Sequence, residues 1–125
     1  MTTKRVAILD DDPLIRMLVE EYLKAFGFEV TAFETPHAAL AAMQQTPPDL
    51  LVLDLQMPVM NGFQVLTAMR ADPATSEIPV LLLSANAGDA STMSETQPDR
   101  YLSKPFQMKE LLEAVQSTRR DPMRD

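Results

Sequence analysis

Short, wholly apolar runs alternate along the chain with longer stretches in which apolar residues recur every three or four positions. Residues 6–9, 50–53 and 80–83 are four-residue apolar runs without polar alternation, the pattern of strands covered on both faces. Residues 28–33 alternate and hold β-branched side chains, which predicts a strand nearer a sheet edge. Residues 101–103 predict a short fifth strand. In the first helical stretch Leu14, Ile15, Leu18, Val19, Tyr22, Leu23 and Phe26 make one apolar face, ended by Gly27 where a left-handed C-cap is wanted. Thr35-Pro36 places a cap before a proline at the first helical position and opens the alanine-rich stretch 38–44, which Thr46-Pro47-Pro48 breaks. Helical spacing returns over 63–70, and again in Met108, Leu111, Leu112 and Val115. A polar stretch over 88–96 predicts a short or frayed helix, because its Ser and Thr residues compete for backbone hydrogen bonds. Met17, Met43, Met69 and Met108 sit near the apolar stripes and are expected in the core.

Strict alternation of strand and helix predicts an α/β fold, a doubly wound parallel five-stranded sheet with helices on both faces. The expected organisation is one domain over 1–118 followed by a short charged tail, 119–125. In such a sheet every strand points the same way, and ligands bind outside the carboxyl ends. The residues at those ends are Asp10 and Asp11, Asp54, Ser84 and Lys104. Clustered carboxylates repel one another unless a cation sits among them, and magnesium takes carboxylates, waters and a phosphate. Lysine is a point-charge phosphate binder, a serine hydroxyl hydrogen-bonds a phosphoryl oxygen, and one carboxylate can act as nucleophile and form an acyl phosphate. The combination reads as phosphoryl transfer onto an aspartate. Asp12, directly before Pro13, is better explained as a helix cap. Asp54 has no helix immediately after it, since Pro58 and Gly62 intervene, so capping explains it poorly.

Composition narrows this further. A net charge of −7 with scattered basic residues argues against direct nucleic-acid binding, which needs a basic patch. The chain has no cysteine, hence no disulfide framework, zinc finger or catalytic thiol. No stretch reaches the ~20 apolar residues of a membrane span, and the amino terminus lacks a signal-peptide pattern; a cytoplasmic location is expected. His37, far from every strand end, reads as a surface residue.

Over residues 4–117 the sequence resembles the receiver domain of two-component response regulators. The resemblance rests on ILDDD at 8–12, LVLDLQMPVMNG at 51–62, PVLLLSA at 79–85 and YLSKPF at 101–106. It implies a flavodoxin-like (βα)5 fold with strand order 2-1-3-4-5. It implies that Asp54 is the phosphoacceptor, served by a histidine kinase or a histidine phosphotransfer protein. Asp10, Asp11, Asp54 and the backbone carbonyl of Gln56 would hold Mg2+ or Mn2+. Lys104 and Ser84 would bind the phosphoryl group, with a Lys104–Pro105 bond that is often cis in the family. Ser84 and Tyr101 resemble the switch pair, though Tyr101 also fits a half-buried edge aromatic. Gln56 and Asn86 hold the positions that tune dephosphorylation. The segment before Tyr101 departs from the family pattern, with Gln97-Pro98-Asp99-Arg100 where a Gly-Ala turn is common.

The resulting expectation is a stand-alone receiver whose output is a partner protein. It would catalyse its own phosphorylation and dephosphorylation without an independent substrate. The competing readings are a pseudo-receiver used only for binding, a phosphatase with an aspartyl-phosphate intermediate, and a flavodoxin. The phosphatase pattern wants an acid where Gln56 stands, and a flavodoxin wants a hydroxyl-rich phosphate loop after the first strand.

Overall fold

The computed structural model describes residues 4–85 and 96–120. Five strands, β1 (Arg5–Leu9), β2 (Glu29–Phe33), β3 (Leu50–Asp54), β4 (Val80–Ser84) and β5 (Arg100–Ser103), form one parallel sheet in the order β2-β1-β3-β4-β5. The described helices are α1 (Pro13–Ala25), α2 (Pro36–Gln45), α3 (Gly62–Ala71) and α4 (Met108–Ser117). The helix expected over 88–96 and Asn86 fall outside the described residues, Thr96 excepted.

Successive strand residues point to opposite faces, and both faces are covered. Ala7, Leu9, Leu51, Leu53, Val80 and Leu82 pack with residues of α2 and α3, including Met43, Leu66 and Met69. Val6, Ile8, Leu50, Val52, Leu81 and Leu83 pack on the other face with Val19 and Leu23 of α1 and Leu111 and Val115 of α4. This two-sided burial is why β1, β3 and β4 carry unbroken apolar runs. β2, at the sheet edge, is only partly buried.

The helix signals act as read. The Asp12 carboxylate accepts from the backbone N–H groups of Leu14 and Ile15, and Thr35 caps α2. Gly27 adopts a φ of +92° just beyond α1. One expectation, the core placement of Met17, needs correction, and it belongs to a wider pattern on α1. The α1 stripe is not buried throughout: Val19 and Leu23 are fully buried, whereas Leu14, Leu18 and Phe26 are exposed. Met17, expected in the core, is exposed too; Met43 and Met69 are buried, and Met108 is partly so. The apolar arc of α1 is wider than the strip that the sheet covers. On its outer part Tyr22 packs against Phe26 with ring centroids 5.0 Å apart. None of the described helices is long and apolar enough to cross a membrane.

Candidate phosphoacceptor and metal site

The carboxyl ends of β1, β3, β4 and β5 place Asp10, Asp11, Asp54, Ser84 and Lys104 along one edge of the sheet. Asp10, Asp11 and Asp54 each offer a carboxylate oxygen, and these oxygens lie within 4.8 Å of one another. Asp10 and Asp54 are buried and Asp11 is exposed, so the cluster is floored by protein and open on one side. Lys104 Nζ donates to Asp54 Oδ1 at 2.9 Å. Lys104 and Ser84 are tied by backbone, the Lys104 N–H donating to the Ser84 carbonyl at 2.8 Å. The Lys104–Pro105 bond is cis.

Local structure fixes these positions. The Asp12 N–H donates to Asp10 Oδ1 at 2.9 Å, and the Arg16 guanidinium donates to the Asp10 carbonyl at 2.7 Å. The turn after β1 is thus held from both sides. Beneath Asp54, α3 begins at Gly62, whose N–H donates to the Leu55 carbonyl at 2.8 Å. A side chain there would lie 2.9 Å from the Asp54 carbonyl oxygen and from the Leu55 Cα. Only glycine permits this approach. Asn61 and Gln64 close a capping box at the same turn.

Electrostatics reinforce the geometry. The Asp10 pKa is raised from 3.8 to about 6, by burial first and then by the neighbouring charges of Asp54 and Asp11. The Asp12 N–H and Lys104 oppose the rise. The other oxygen, Asp10 Oδ2, is buried and has no hydrogen-bond partner among the described residues. An all-oxygen donor set with one buried oxygen unsatisfied suits a hard divalent cation.

The comparisons with known proteins come down on the same side. Residues 6–116 match the response regulator receiver domain. The chain belongs to this family. It is 37% identical over 115 residues to RpaA of Synechocystis sp., described as a DNA-binding dual master transcriptional regulator, covering 90% of this chain and 48% of that protein. The chain therefore spans about half the length of that relative. Among solved structures, the chemotaxis response regulator CheY4 of Vibrio cholerae is similar at 30% identity and a TM-score of 0.85, over 92% of this chain and 98% of that one. The receiver domain of sensor histidine kinase PA1611 of Pseudomonas aeruginosa, described with a magnesium ion coordinated in its active-site cleft, is similar at 26% identity. Its TM-score is 0.83, over 92% of this chain and 96% of that one.

Within the receiver, Asp10, Asp11, Asp54 and Lys104 come together, Ser84 is tied to Lys104 by backbone at the same sheet edge, and Asn86 lies outside the described residues. Gln56 lies two residues past β3 and is exposed. Tyr101 lies on β5 opposite Leu82, one same-face position below the level of Ser84. Its hydroxyl donates to the Gln97 side-chain carbonyl. Sequence reading missed Arg16, whose signal, one α1 turn beyond the acids, is weak. It also missed Asp99, whose carboxylate accepts from Arg70, Arg120 and the Val80 N–H. Those partners lie 19 to 29 positions away, so no local pattern announces them.

Proposed function

We propose that the chain is a phosphorylation switch in which Asp54 accepts a phosphoryl group from a phosphohistidine of a kinase or phosphotransfer protein. The observation that carries this reading is a buried carboxylate at the end of β3 with an ammonium 2.9 Å away and two further acids within 4.8 Å. The Asp54 carboxylate attacks phosphorus, the P–N bond breaks, and its electron pair leaves with the imidazole. Lys104 neutralises charge on the phosphoryl oxygens in the transition state, and the Ser84 hydroxyl donates to one of them. Asp10, Asp11, Asp54 and the Gln56 carbonyl would hold magnesium, which when bound supplies charge neutralisation between the acids and the incoming phosphoryl group. By their positions in the family pattern, Gln56 and Asn86 would tune the rate of dephosphorylation.

Movement of Ser84 towards the phosphoryl group opens space on its sheet face for Tyr101, which then exchanges its Gln97 partner for an inward position. The output is altered affinity for a partner protein. A chain of net charge −7 is not itself given a nucleic-acid role. The test is intact-mass analysis after incubation with acetyl phosphate and magnesium, beside Asp54→Ala. One added phosphoryl group, lost in the variant or without magnesium, supports the reading. No adduct and no beryllofluoride complex would overturn it in favour of a binding-only receiver.

A further inference from the structure

At the amino-terminal ends of β4 and β5, away from the carboxylates, a cavity of about 640 Å³ is lined by three arginines. Arg70 comes from the last turn of α3, Arg100 opens β5, and Arg120 follows α4. Four strand steps at about 3.3 Å separate this end of β4 from Ser84, roughly 13 Å. The buried acid of the cavity is Asp99, and it is fully committed. Its Oδ2 accepts from Arg70 at 3.0 Å and from the Val80 N–H at 2.8 Å, while Oδ1 accepts from Arg120 at 3.4 Å.

The three guanidiniums differ in what they have left to offer. Arg70 is structural: its Nη1 donates to the Ser76 and Ile78 carbonyls at 2.9 and 2.7 Å. Arg100 gives one N–H to the Ser117 hydroxyl, and Arg120 gives one to Asp99. The remaining donors of Arg100 and Arg120 have no protein partner among the described residues. Burial and the nearby Arg120 charge hold the Arg70 pKa below its ordinary value, a sign that positive charge is crowded here. Glu77 lies at the rim, and Pro98 and the Tyr101 ring add apolar wall.

We propose that this cavity is an anion site for a phosphate group, with the free forks of Arg100 and Arg120 as its ligands. Guanidinium forks match phosphate oxygens in bidentate geometry, and an anion there adds negative charge to a cavity lined by three arginines. The volume lies within the range of small-molecule sites and has room for more than a phosphate. The group therefore comes either from free phosphate or from a phosphate ester whose organic part lies on Pro98 and Tyr101. The proposal does not depend on the chemistry at Asp54.

The test is titration of the full, unphosphorylated, magnesium-free chain with inorganic phosphate and with adenosine 5′-monophosphate, followed by backbone NMR shifts. Saturable shifts at Arg100, Tyr101 and Arg120 are expected. They should weaken at least tenfold in Arg100→Gln and in Arg120→Gln, be only partly restored by Arg100→Lys, and be unchanged in Lys104→Ala. Tighter binding of the nucleotide assigns an ester, and equal binding assigns the free oxyanion. Absence of saturable shifts, their survival in the double Gln variant, or their loss in Lys104→Ala would overturn the proposal. The last result would place the anion at the carboxylate edge.

Discussion

Replacing Asp10 by asparagine should stabilise the magnesium-free protein at neutral pH while weakening its response to magnesium. Asp10 is 1% exposed, and its pKa is displaced from 3.8 to about 6, chiefly by burial. At about 1.4 kcal/mol for each tenfold change in the proton equilibrium, the ionised carboxylate costs the fold about 3 kcal/mol. The asparagine side chain would keep an oxygen to accept the Asp12 N–H and would place an amide where Oδ2 now lacks a partner. The sign follows from proton counts. Between pH 4 and 6 the folded parent holds a proton that the unfolded chain has released, so its stability falls as pH rises through that window. The variant lacks this group and this dependence. Urea unfolding of both proteins without magnesium, from pH 3.5 to 7.5, should show a gap of about 2–3 kcal/mol favouring the variant at pH 7.5 and shrinking to near zero below pH 4. Saturating magnesium should narrow the gap by raising the parent more; at a hundred times Kd, mass action adds about 2.7 kcal/mol. Equal stabilities at pH 7.5, or a gap independent of pH, would refute the idea that Asp10 is held at a cost.

Other substitutions test the scaffold. Asp99→Ala leaves the Arg70 guanidinium buried without its counter-charge and should cost about 3–5 kcal/mol in urea unfolding. Gly62→Ala forces a Cβ to within 2.9 Å of the backbone under Asp54; overpacking of this kind costs about 1–3 kcal/mol and should lower Tm. Asp12→Ala removes the α1 cap for about 1 kcal/mol, and phosphorylation by acetyl phosphate should persist. Tyr101→Phe breaks the hydroxyl bond to Gln97; if that bond holds the ring outward, the beryllofluoride-bound form should show a smaller change in the Gln97 NMR shift than the parent does.

Much of this was legible in the chain because it depends on neighbours in sequence. Unbroken apolar runs identify β1, β3 and β4 since both their faces are covered, and the cap signals of Asp12-Pro13 and Thr35-Pro36 operate within one helical turn. The candidate site was legible for a related reason. A parallel sheet delivers every strand's last residue to one edge, so Asp10, Asp54, Ser84 and Lys104 meet by topology. What sequence could not give was the extent of burial on α1. Helical spacing places Leu14 and Leu18 on the same apolar side as Val19 and Leu23, but the width of covering sheet decides which of them leave solvent. Nor could it give the Asp99 cluster, which joins the end of α3, the start of β4 and Arg120, three residues beyond α4.

The two ends of the sheet use a buried carboxylate in opposite ways. Asp99 is satisfied by Arg70, Arg120 and a backbone N–H, so its charge is compensated by the protein and it ties three segments together. Asp10 accepts one backbone N–H and leaves Oδ2 buried without a partner among the described residues, so its charge is incompletely compensated. Breaking the first kind of site strands a buried guanidinium and weakens the fold. Neutralising the second kind relieves the fold and removes what a cation would bind. The same residue type thus separates by its hydrogen-bond complement into anchor and site. That difference gives opposite signs for Asp99→Ala and Asp10→Asn in a single unfolding assay.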